Sequence, residues 1–162
     1  LTAHAFYKKK MTIFGEEQIR PFVHVNDAAN SILCALESNL DSEDKLVFNI
    51  GSNALNVSLM ELAQMIKEYL PDSEIITENS GDDARNYHVS FDKAEMYLNF
   101  KTEWTLDEGI KQVIQKLDKG EIEDYDSAKH SNVKHLHKEG LKVLNERDTS
   151  DWETMLLEES YT

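Results

Sequence analysis

Apolar positions along the first 120 residues follow two different periods. Ser58 and Thr105 are each followed by a glutamate three positions later and then by apolar residues at helical spacing, which predicts two capped amphipathic helices. Short apolar runs bounded by glycine or polar turns predict strands. The predicted strands are 11–14, 19–25, 46–50 and 74–78. The predicted helices are one that ends at about residue 10, one that is capped by Asn26 or Asp27 and reaches about residue 37, and those at 58–70, 92–98 and 105–117. This alternation indicates an α/β or α+β domain, and the run 46–50 is typical of a buried strand in a parallel sheet.

The pattern changes after Gly120. Residues 121–126 are almost all acidic or polar, and the remainder contains one predicted helix near 135–145. We therefore divide the chain into a domain at 1–119 and an acidic tail at 120–162, which we expect to be partly helical or disordered. The chain opens with Leu1 rather than Met, within what reads as a helix, so we interpret it as a piece of a longer protein.

Charge and cysteine content exclude several classes of function. The net charge of −14 over 162 residues argues against nucleic acid or an anionic membrane as a partner. The single cysteine, Cys34, rules out an internal disulfide and lies among apolar residues, so a buried structural thiol is favoured over a nucleophile. No apolar run reaches membrane-spanning length and no signal peptide opens the chain, so we expect a cytosolic protein.

The histidines and acidic runs do not predict a metal site. His130, His135 and His137 fit no closed site by spacing, and residues 121–126 lack the spacing and the glycine of a calcium loop. His24 lies between apolar neighbours, which favours a structural histidine with satisfied hydrogen bonds. We therefore expect no metal in this chain.

Six short motifs occur in a fixed order. They are Thr12–Gly15 (TIFG), Arg20–Asp27 (RPFVHVND), Phe48–Gly51 (FNIG), Asn56-x-Ser58, Asp83–Tyr87 (DARNY) with Asp92–Ala94, and Phe100–Ile110 (FKTEWTLDEGI). Over residues 1–118 this series resembles the C-terminal half of the NAD-dependent sugar-nucleotide epimerases and dehydratases, the extended short-chain dehydrogenase/reductase family. The resemblance implies an α/β fold: the C-terminal substrate-binding part of an extended Rossmann-type enzyme, with small sheets and packed helices.

The resemblance also implies a binding site for a nucleotide diphosphate-sugar. Thr12 and Phe14 match the strand that holds the base through its backbone, and Arg20 matches the arginine that grips the diphosphate, although an isolated arginine is more often a surface residue. Asn56 matches a position where a side-chain amide or a helix N-terminus meets the diphosphate, and it is equally typical of a turn.

Two further site residues come from the loop that follows the last predicted strand. Arg85 matches a second arginine of the family, which either reaches the phosphates or braces the loop. The family's pattern in this loop differs from the Asn79-Ser80-Gly81-Asp82 found here, which leaves both roles open. Asp82 or Asp83 is a candidate to accept a hydrogen bond from a ribose hydroxyl.

The cofactor and catalytic motifs of the family are not found. The six glycines are scattered, so no glycine-rich loop for the NAD pyrophosphate is present. Tyr-x-x-x-Lys spacing occurs at Tyr97–Lys101 and at Tyr125–Lys129, and we interpret both as accidental. The resemblance therefore implies that NAD is bound by an N-terminal half outside this chain, that this half is a partner of the domain, and that the intact enzyme forms a homodimer. We expect no catalytic residue and no cofactor in this chain alone.

Two other classes of function remain open. The chain is also compatible with a stand-alone nucleotide-sugar binding module without catalysis. It is equally compatible with an interaction domain whose acidic tail contacts a basic partner. Neither alternative explains the ordered set of motifs.

Overall fold

A computed structural model describes residues 1–40, 47–78 and 86–136 of the protein. Its helices and strands form the mixed α/β fold that the sequence predicts, with one strand, Asn56–Ser58, that the sequence did not predict. The helices are α1 (Thr2–Lys8), α2 (Val25–Glu37), α3 (Leu59–Tyr69), α4 (Asp92–Leu98), α5 (Leu106–Asp118) and α6 (Asn132–His135), and the strands are β1 (Lys10–Phe14), β2 (Ile19–Pro21), β3 (Asn56–Ser58) and β4 (Glu74–Glu78).

Contacts divide the chain into two units, Leu1–Glu121 and Ile122–Thr162. In the described part of the second unit, a 3₁₀ turn at Ala128–His130 precedes α6, and Lys134 forms an ion pair of 2.6 Å with Asp126. Most of the predicted helix near 135–145 lies outside the described residues. No helix within the described ranges has the length and hydropathy needed to cross a membrane.

Two small sheets organise the first unit. β1 and β4 pair in parallel, with Lys10 opposite Glu74 and Phe14 opposite Glu78. β2 and β3 pair antiparallel, with Arg20 opposite Val57. Because parallel strands need a crossover, the chain between β1 and β4 includes α3, which packs on the sheet.

The core lies on one face of β1. Met11 and Ile13 alternate inward and are almost completely buried, in one cluster with Ala63 and Ile66 of α3 and Ile110 of α5. This alternation sends the side chains between them, those of Thr12 and Phe14, to the opposite face.

Both predicted capping boxes are confirmed. Ser58 Oγ accepts a hydrogen bond from the Glu61 backbone N–H, while the Glu61 carboxylate accepts one from the Ser58 N–H at 2.7 Å. Thr105 and Glu108 make the same reciprocal pair at the start of α5. These signals lie within four residues, which is why the sequence predicts them well.

The capping carboxylates predict an acid-sensitive contribution to stability. Hydrogen bonds from the Ser58 and Thr105 backbone and side chains hold the pKa values of Glu61 and Glu108 below their usual range. A pKa that is lower in the folded state stabilises the fold above the unfolded-state pKa, and that stabilisation is lost as pH falls through the folded value. We expect Glu61→Gln with Glu108→Gln to flatten the fall in melting temperature below about pH 4.5. Glu123→Gln, on an exposed residue, is the control, and an unchanged acid limb in the double variant would contradict the assignment.

The start of α2 differs from the sequence prediction. The strand predicted at 19–25 ends at Pro21, and the helix begins at Val25 with His24 as its cap, not Asn26 or Asp27. His24 Nδ1 accepts a hydrogen bond from the Asn26 backbone N–H at 3.2 Å. The His24 imidazole therefore caps α2, a position at which Asn and Asp are among the preferred residues.

Asp27 does not cap α2 and instead accepts hydrogen bonds from the segment that leads into α5. Its side chain is 2% exposed, and its two carboxylate oxygens accept hydrogen bonds from the backbone N–H groups of Glu103 at 3.0 Å and Trp104 at 3.2 Å. These residues lead directly into α5. One buried carboxylate thus fixes the start of α2 against the start of α5 across more than 70 residues of sequence.

The strand predicted at 46–50 is wrong within the described residues 47–50, which have no regular secondary structure. Phe48 and Ile50 point inward and pack on a second core cluster formed by Ala94, Leu98 and Phe100. Val47, just before Phe48, is 78% exposed, and Asn49, between Phe48 and Ile50, is exposed as well. The alternation expected of a strand is present, but no described strand pairs with this segment, and a strand requires that ladder.

Helix α2 presents its apolar face outward. Val25, Ile32, Leu33 and Leu36 are 72%, 63%, 56% and 77% exposed, whereas the buried positions of the same helix are Asp27 and Ser31. Their spacing places the four apolar residues along one side of the helix. A contiguous exposed apolar face of this kind marks an interaction surface.

Candidate functional site

Arg20 is held in one position by its neighbours on three sides. Its guanidinium donates to the Gln18 side-chain oxygen at 2.6 Å and to the Ile19 backbone carbonyl at 3.0 Å. Its Cζ lies 5.0 Å from the centroid of the Tyr87 ring. The side chain is half-buried. A guanidinium has five N–H donors in a fixed plane, so these contacts restrict its orientation.

The segment that carries Tyr87 runs alongside β2. The Ile19 backbone N–H donates to the Asn86 side-chain oxygen at 2.9 Å, and the Tyr87 N–H donates to the Ile19 carbonyl at 3.2 Å. β2 is therefore flanked by β3 on one side and by residues 86–87 on the other. This framework places the Tyr87 ring against the Arg20 side chain.

Asn56 braces the same segment from β3. Its side-chain N–H group donates to the Val89 carbonyl at 2.8 Å, and its side-chain oxygen accepts from the Val89 N–H at 3.1 Å. The amide thus pairs with the Val89 backbone as a neighbouring strand would. The Asn56 amide, which the resemblance places near a diphosphate, is therefore hydrogen-bonded within the protein.

The N-terminus of α3, the other anion-binding group suggested with Asn56, is also engaged within the protein. The backbone N–H groups of Leu59 and Met60 donate to the Gln18 and Glu16 carbonyls, each at 3.1 Å. The next N–H group in the helix donates to the capping Ser58. Backbone carbonyls of the turn between β1 and β2 thus accept hydrogen bonds from N–H groups that could otherwise bind a phosphate.

Thr12 and Phe14 lie on the face of β1 that points away from the core. The Phe14 side chain is 54% exposed and Thr12 is half-buried. Gly15 follows with φ +68°, where a Cβ atom would come within 2.5 Å of the Gln18 side chain. This glycine turn joins the strand of Thr12 and Phe14 to the strand of Arg20.

Asp82 and Arg85 lie outside the described residues, so their predicted roles stay predictions. Gln18 and Tyr87, which contact Arg20, are the site residues that sequence reasoning missed. Tyr87 was visible as the last residue of the motif DARNY, but nothing local to it indicated that its ring lies beside Arg20.

Other candidate residues have roles in the fold. The Tyr97–Lys101 spacing does not place the two side chains on one helix, because α4 ends at Leu98, and Lys101 pairs with Glu95 at 3.1 Å. His24 bonds the Gln112 side-chain oxygen through Nε2 at 2.9 Å and stacks on Trp104 at 3.9 Å between ring centroids. Both of its nitrogens are therefore satisfied, as expected for a structural histidine.

A mainly apolar cavity of about 390 Å³ opens beside His24 and Trp104. Thr12, Phe14, Arg20 and Asn56 do not line it. Within the described residues, no three His, Cys, Asp or Glu side chains come together in a way that would hold a metal ion. His137 lies outside those residues.

The sequence of residues 1–51, which contains β1, β2 and α2, matches the profile of the NAD dependent epimerase/dehydratase family. The resemblance to that family is confirmed. The match includes Thr12, Phe14 and Arg20, and it extends through α2. The mixed α/β fold with small sheets is shared with Rossmann-type epimerases of the short-chain dehydrogenase/reductase class.

Three similar proteins illustrate the likeness. The uncharacterized protein MJ1055 of Methanocaldococcus jannaschii is 31% identical over 96 residues, which are 57% of this chain and 28% of that protein. The structure of UDP-glucose 4-epimerase from Thermotoga maritima, solved with UDP-glucose, is similar at a TM-score of 0.62 and 27% identity, over 73% of this chain and 38% of its own. An L-threonine dehydrogenase from Clostridium difficile shares the fold at a TM-score of 0.60 and 24% identity, over 73% and 39%. The chain therefore spans well under half the length of these relatives.

Proposed function

We propose that residues 1–119 are the substrate-binding portion of an NAD-dependent sugar-nucleotide epimerase or dehydratase. The observation that carries this proposal is the Arg20 guanidinium, which is half-buried and oriented by Tyr87 and Gln18 beside the glycine turn that follows Phe14. Arg20 binds the diphosphate, and the exposed face of β1 with Thr12 and Phe14 contacts the base. Asp82 and Arg85 remain predicted contributors to this site.

The turn that follows β1 differs from the turn that binds NAD in Rossmann-type enzymes. After β1 the chain turns through Gly15 into a second strand, whereas the pyrophosphate of NAD is bound by a glycine-rich turn that leads into a helix. We propose that NAD is bound by a part of the parent enzyme outside this chain. The isolated 162-residue chain then neither binds NAD tightly nor turns over substrate, and stoichiometric NAD in the purified chain would contradict this.

Calorimetric titration tests the ligand class. UDP, dTDP, GDP, CDP and inorganic pyrophosphate are titrated into the purified chain, followed by the matching nucleotide sugars. Saturable binding of one nucleoside diphosphate, with weaker binding of pyrophosphate, supports the site. Absence of binding by all of them would sink the proposed substrate class.

The cofactor part is also the proposed occupant of the apolar face of α2, defined by Val25, Ile32, Leu33 and Leu36. Two features support this. The relatives of known structure have more than half of their length beyond the part that matches this chain. The extended segment 47–50 lies against the same core cluster as Cys34 of α2, and it has the inward and outward alternation of a strand. An α/β cofactor domain offers a parallel sheet, which needs helices over its faces.

We expect Ile32→Lys with Leu36→Lys to leave the melting temperature of the isolated chain unchanged while reducing its binding of a hydrophobic dye and its self-association. In the intact reading frame the same pair is expected to cost at least about 3 kcal/mol of unfolding free energy, because two large apolar side chains lose their buried contacts. Ala35→Lys adds one positive charge to α2 beside the apolar row and serves as the control for the effect of a single lysine. Unfolding of the isolated chain by the pair, or no effect in the intact protein, would contradict this docking surface.

An interaction domain remains a second candidate, and the same apolar face favours it. In that case the partner is a separate protein, and the calorimetric titrations show no nucleotide binding. A pull-down that is lost on deletion of residues 120–162 and is sensitive to salt would identify a basic partner of the acidic tail.

A further inference from the structure

We propose that the cavity beside His24 and Trp104 receives an apolar side chain from the cofactor part of the parent enzyme. This role rests on the proposed function, because the cofactor part belongs to the proposed parent. It goes beyond the docking surface on α2, since it adds a concave contact against α5. A side chain that fills such a cavity is the kind of contact that anchors a protein interface.

The walls of the cavity carry no formal charge. Among the described residues that line it, none is Asp, Glu, Lys or Arg, although 30% of the residues in the chain are charged. Apolar and aromatic side chains, among them Phe22, Leu55 and Trp104, supply most of its surface. Charged residues are depleted and aromatic residues are enriched at the buried centre of protein interfaces. The lining therefore has the composition of an interface centre.

The cavity is too large to be an ordinary packing defect. Its volume is about 390 Å³, whereas one water molecule in the liquid takes up about 30 Å³, and protein interiors leave few voids larger than a water molecule. Val23 and Val113, which line it, are 41% and 38% exposed. Contact between water and apolar surface is unfavourable, so an apolar group that displaces this water stabilises the complex.

Val25 connects the cavity to the apolar face of α2. It lines the cavity, and it is also the first residue of that face. A partner that covers Val25 on α2 is therefore already in contact with the cavity lining. The relatives of known structure have more than half of their length beyond the part that matches this chain. Continuity with the docking surface and the extra length of the relatives both favour the cofactor part as the occupant.

Contacts within the domain hold the walls of the cavity in place. The His24 ring stacks on Trp104 at 3.9 Å between centroids, and its Nε2 bonds the Gln112 side-chain oxygen at 2.9 Å. The Asp27 carboxylate accepts a hydrogen bond from the Trp104 backbone N–H at 3.2 Å. These contacts connect the start of α2 to α5, so the cavity is formed before a partner binds. A preformed cavity lowers the entropic cost of association.

Gly109 offers a way to fill the cavity from within the chain. It lies in α5 and lines the cavity, and a Cβ atom added to it would meet His24 Cδ2 at 3.8 Å, an ordinary van der Waals distance. A larger side chain at this position therefore fits the isolated domain. In the intact protein the same side chain would occupy the space that the incoming apolar group needs.

The first experiment compares Gly109→Leu in the 162-residue chain and in the intact reading frame. We expect the substitution to raise the melting temperature of the 162-residue chain by about 2–5 °C, because Leu favours a helix over Gly and buries apolar surface in the cavity. In the intact protein we expect a fall of about 3 °C or more, because two side chains then compete for one space. Gln115→Leu, at an exposed position of α5 outside the cavity, is the matched control and is expected to act alike in both proteins.

A second measurement needs no substitution. Xenon binds in apolar cavities, and we expect xenon-saturated buffer to shift the NMR signals of the Gly109 and Trp104 amides in the 162-residue chain. In the intact protein we expect the same two signals to stay in place, because the cavity is filled. Gly109→Leu in the 162-residue chain is expected to abolish the shift as well.

The outcomes separate this role of the cavity from the proposed substrate class. Equal effects of Gly109→Leu in the two proteins, or a xenon shift that persists in the intact protein, would overturn the role. A small molecule released when the intact protein is denatured would overturn it in favour of a ligand site. Arg20 does not line the cavity, so UDP titrations test the substrate class independently. Opposite effects of Gly109→Leu in the two proteins without UDP binding would support the cavity contact and remove the substrate class.

Discussion

Arg20→Ala is expected to weaken binding of the preferred nucleoside diphosphate by about 10- to 150-fold, which corresponds to the loss of one or two charge-assisted hydrogen bonds. The chain carries a net charge of −14, so its overall field opposes an anionic ligand. Affinity for a diphosphate must therefore come from local donors, and the Arg20 guanidinium is the donor group that we propose for this role. Calorimetry at constant ionic strength measures the change.

Two companion variants make the result specific. Arg20→Lys keeps the charge but lacks the planar fork, and it is expected to recover only part of the lost affinity. Lys101→Ala removes a cation that is paired with Glu95, and it is expected to leave binding unchanged. Equal losses in Arg20→Ala and Lys101→Ala would show that only net charge matters and would remove the basis for a diphosphate site at Arg20.

Asp27→Ala is expected to lower the unfolding free energy by about 2–4 kcal/mol, the largest stability loss among these substitutions. The carboxylate is 2% exposed, and it satisfies the Glu103 and Trp104 N–H groups. Removing it leaves two partly buried donors without their acceptor and a void at the start of α2. In a domain of this size the loss corresponds to a fall of roughly 5–10 °C in melting temperature.

Asp27→Asn retains one acceptor oxygen and is expected to lose about half as much. Asn26→Ala, at the exposed neighbouring position, is the control. Thermal unfolding followed by circular dichroism ranks the three variants. A melting temperature for Asp27→Ala within a degree of the native value would show that the carboxylate does not connect α2 to α5.

Signals that lie close together in sequence predicted the structure well. The capping residues Ser58 and Thr105 announce α3 and α5 because the donor and acceptor are three residues apart. The wrong predictions concern features that depend on residues far apart in the sequence. The end of β2 depends on pairing with β3, and the cap of α2 depends on Asp27 being drawn toward Glu103 and Trp104.

The residues of the candidate site show the same difference between local and long-range signals. Arg20 was visible because its motif is contiguous with the residues around it. Tyr87, 67 residues away, was named only as part of a motif, since stacking between distant side chains leaves no periodic trace. Asn56 was expected to offer its amide to a ligand, but the Val89 backbone, which no local pattern identifies, uses both of its polar atoms.

The pairing of β1 with β4 has a consequence for synthesis of the chain in the cell. Lys10 lies opposite Glu74, so β1 leaves the ribosome well before its partner strand β4 is made. The N–H groups of Glu103 and Trp104, which donate to the Asp27 carboxylate, are made later still. Contacts between residues so far apart in sequence slow folding. Until these contacts form, apolar segments remain exposed and prone to aggregation. A nascent polypeptide halted before residue 74 therefore lacks the β1–β4 sheet, whose buried face carries Met11 and Ile13 of the core.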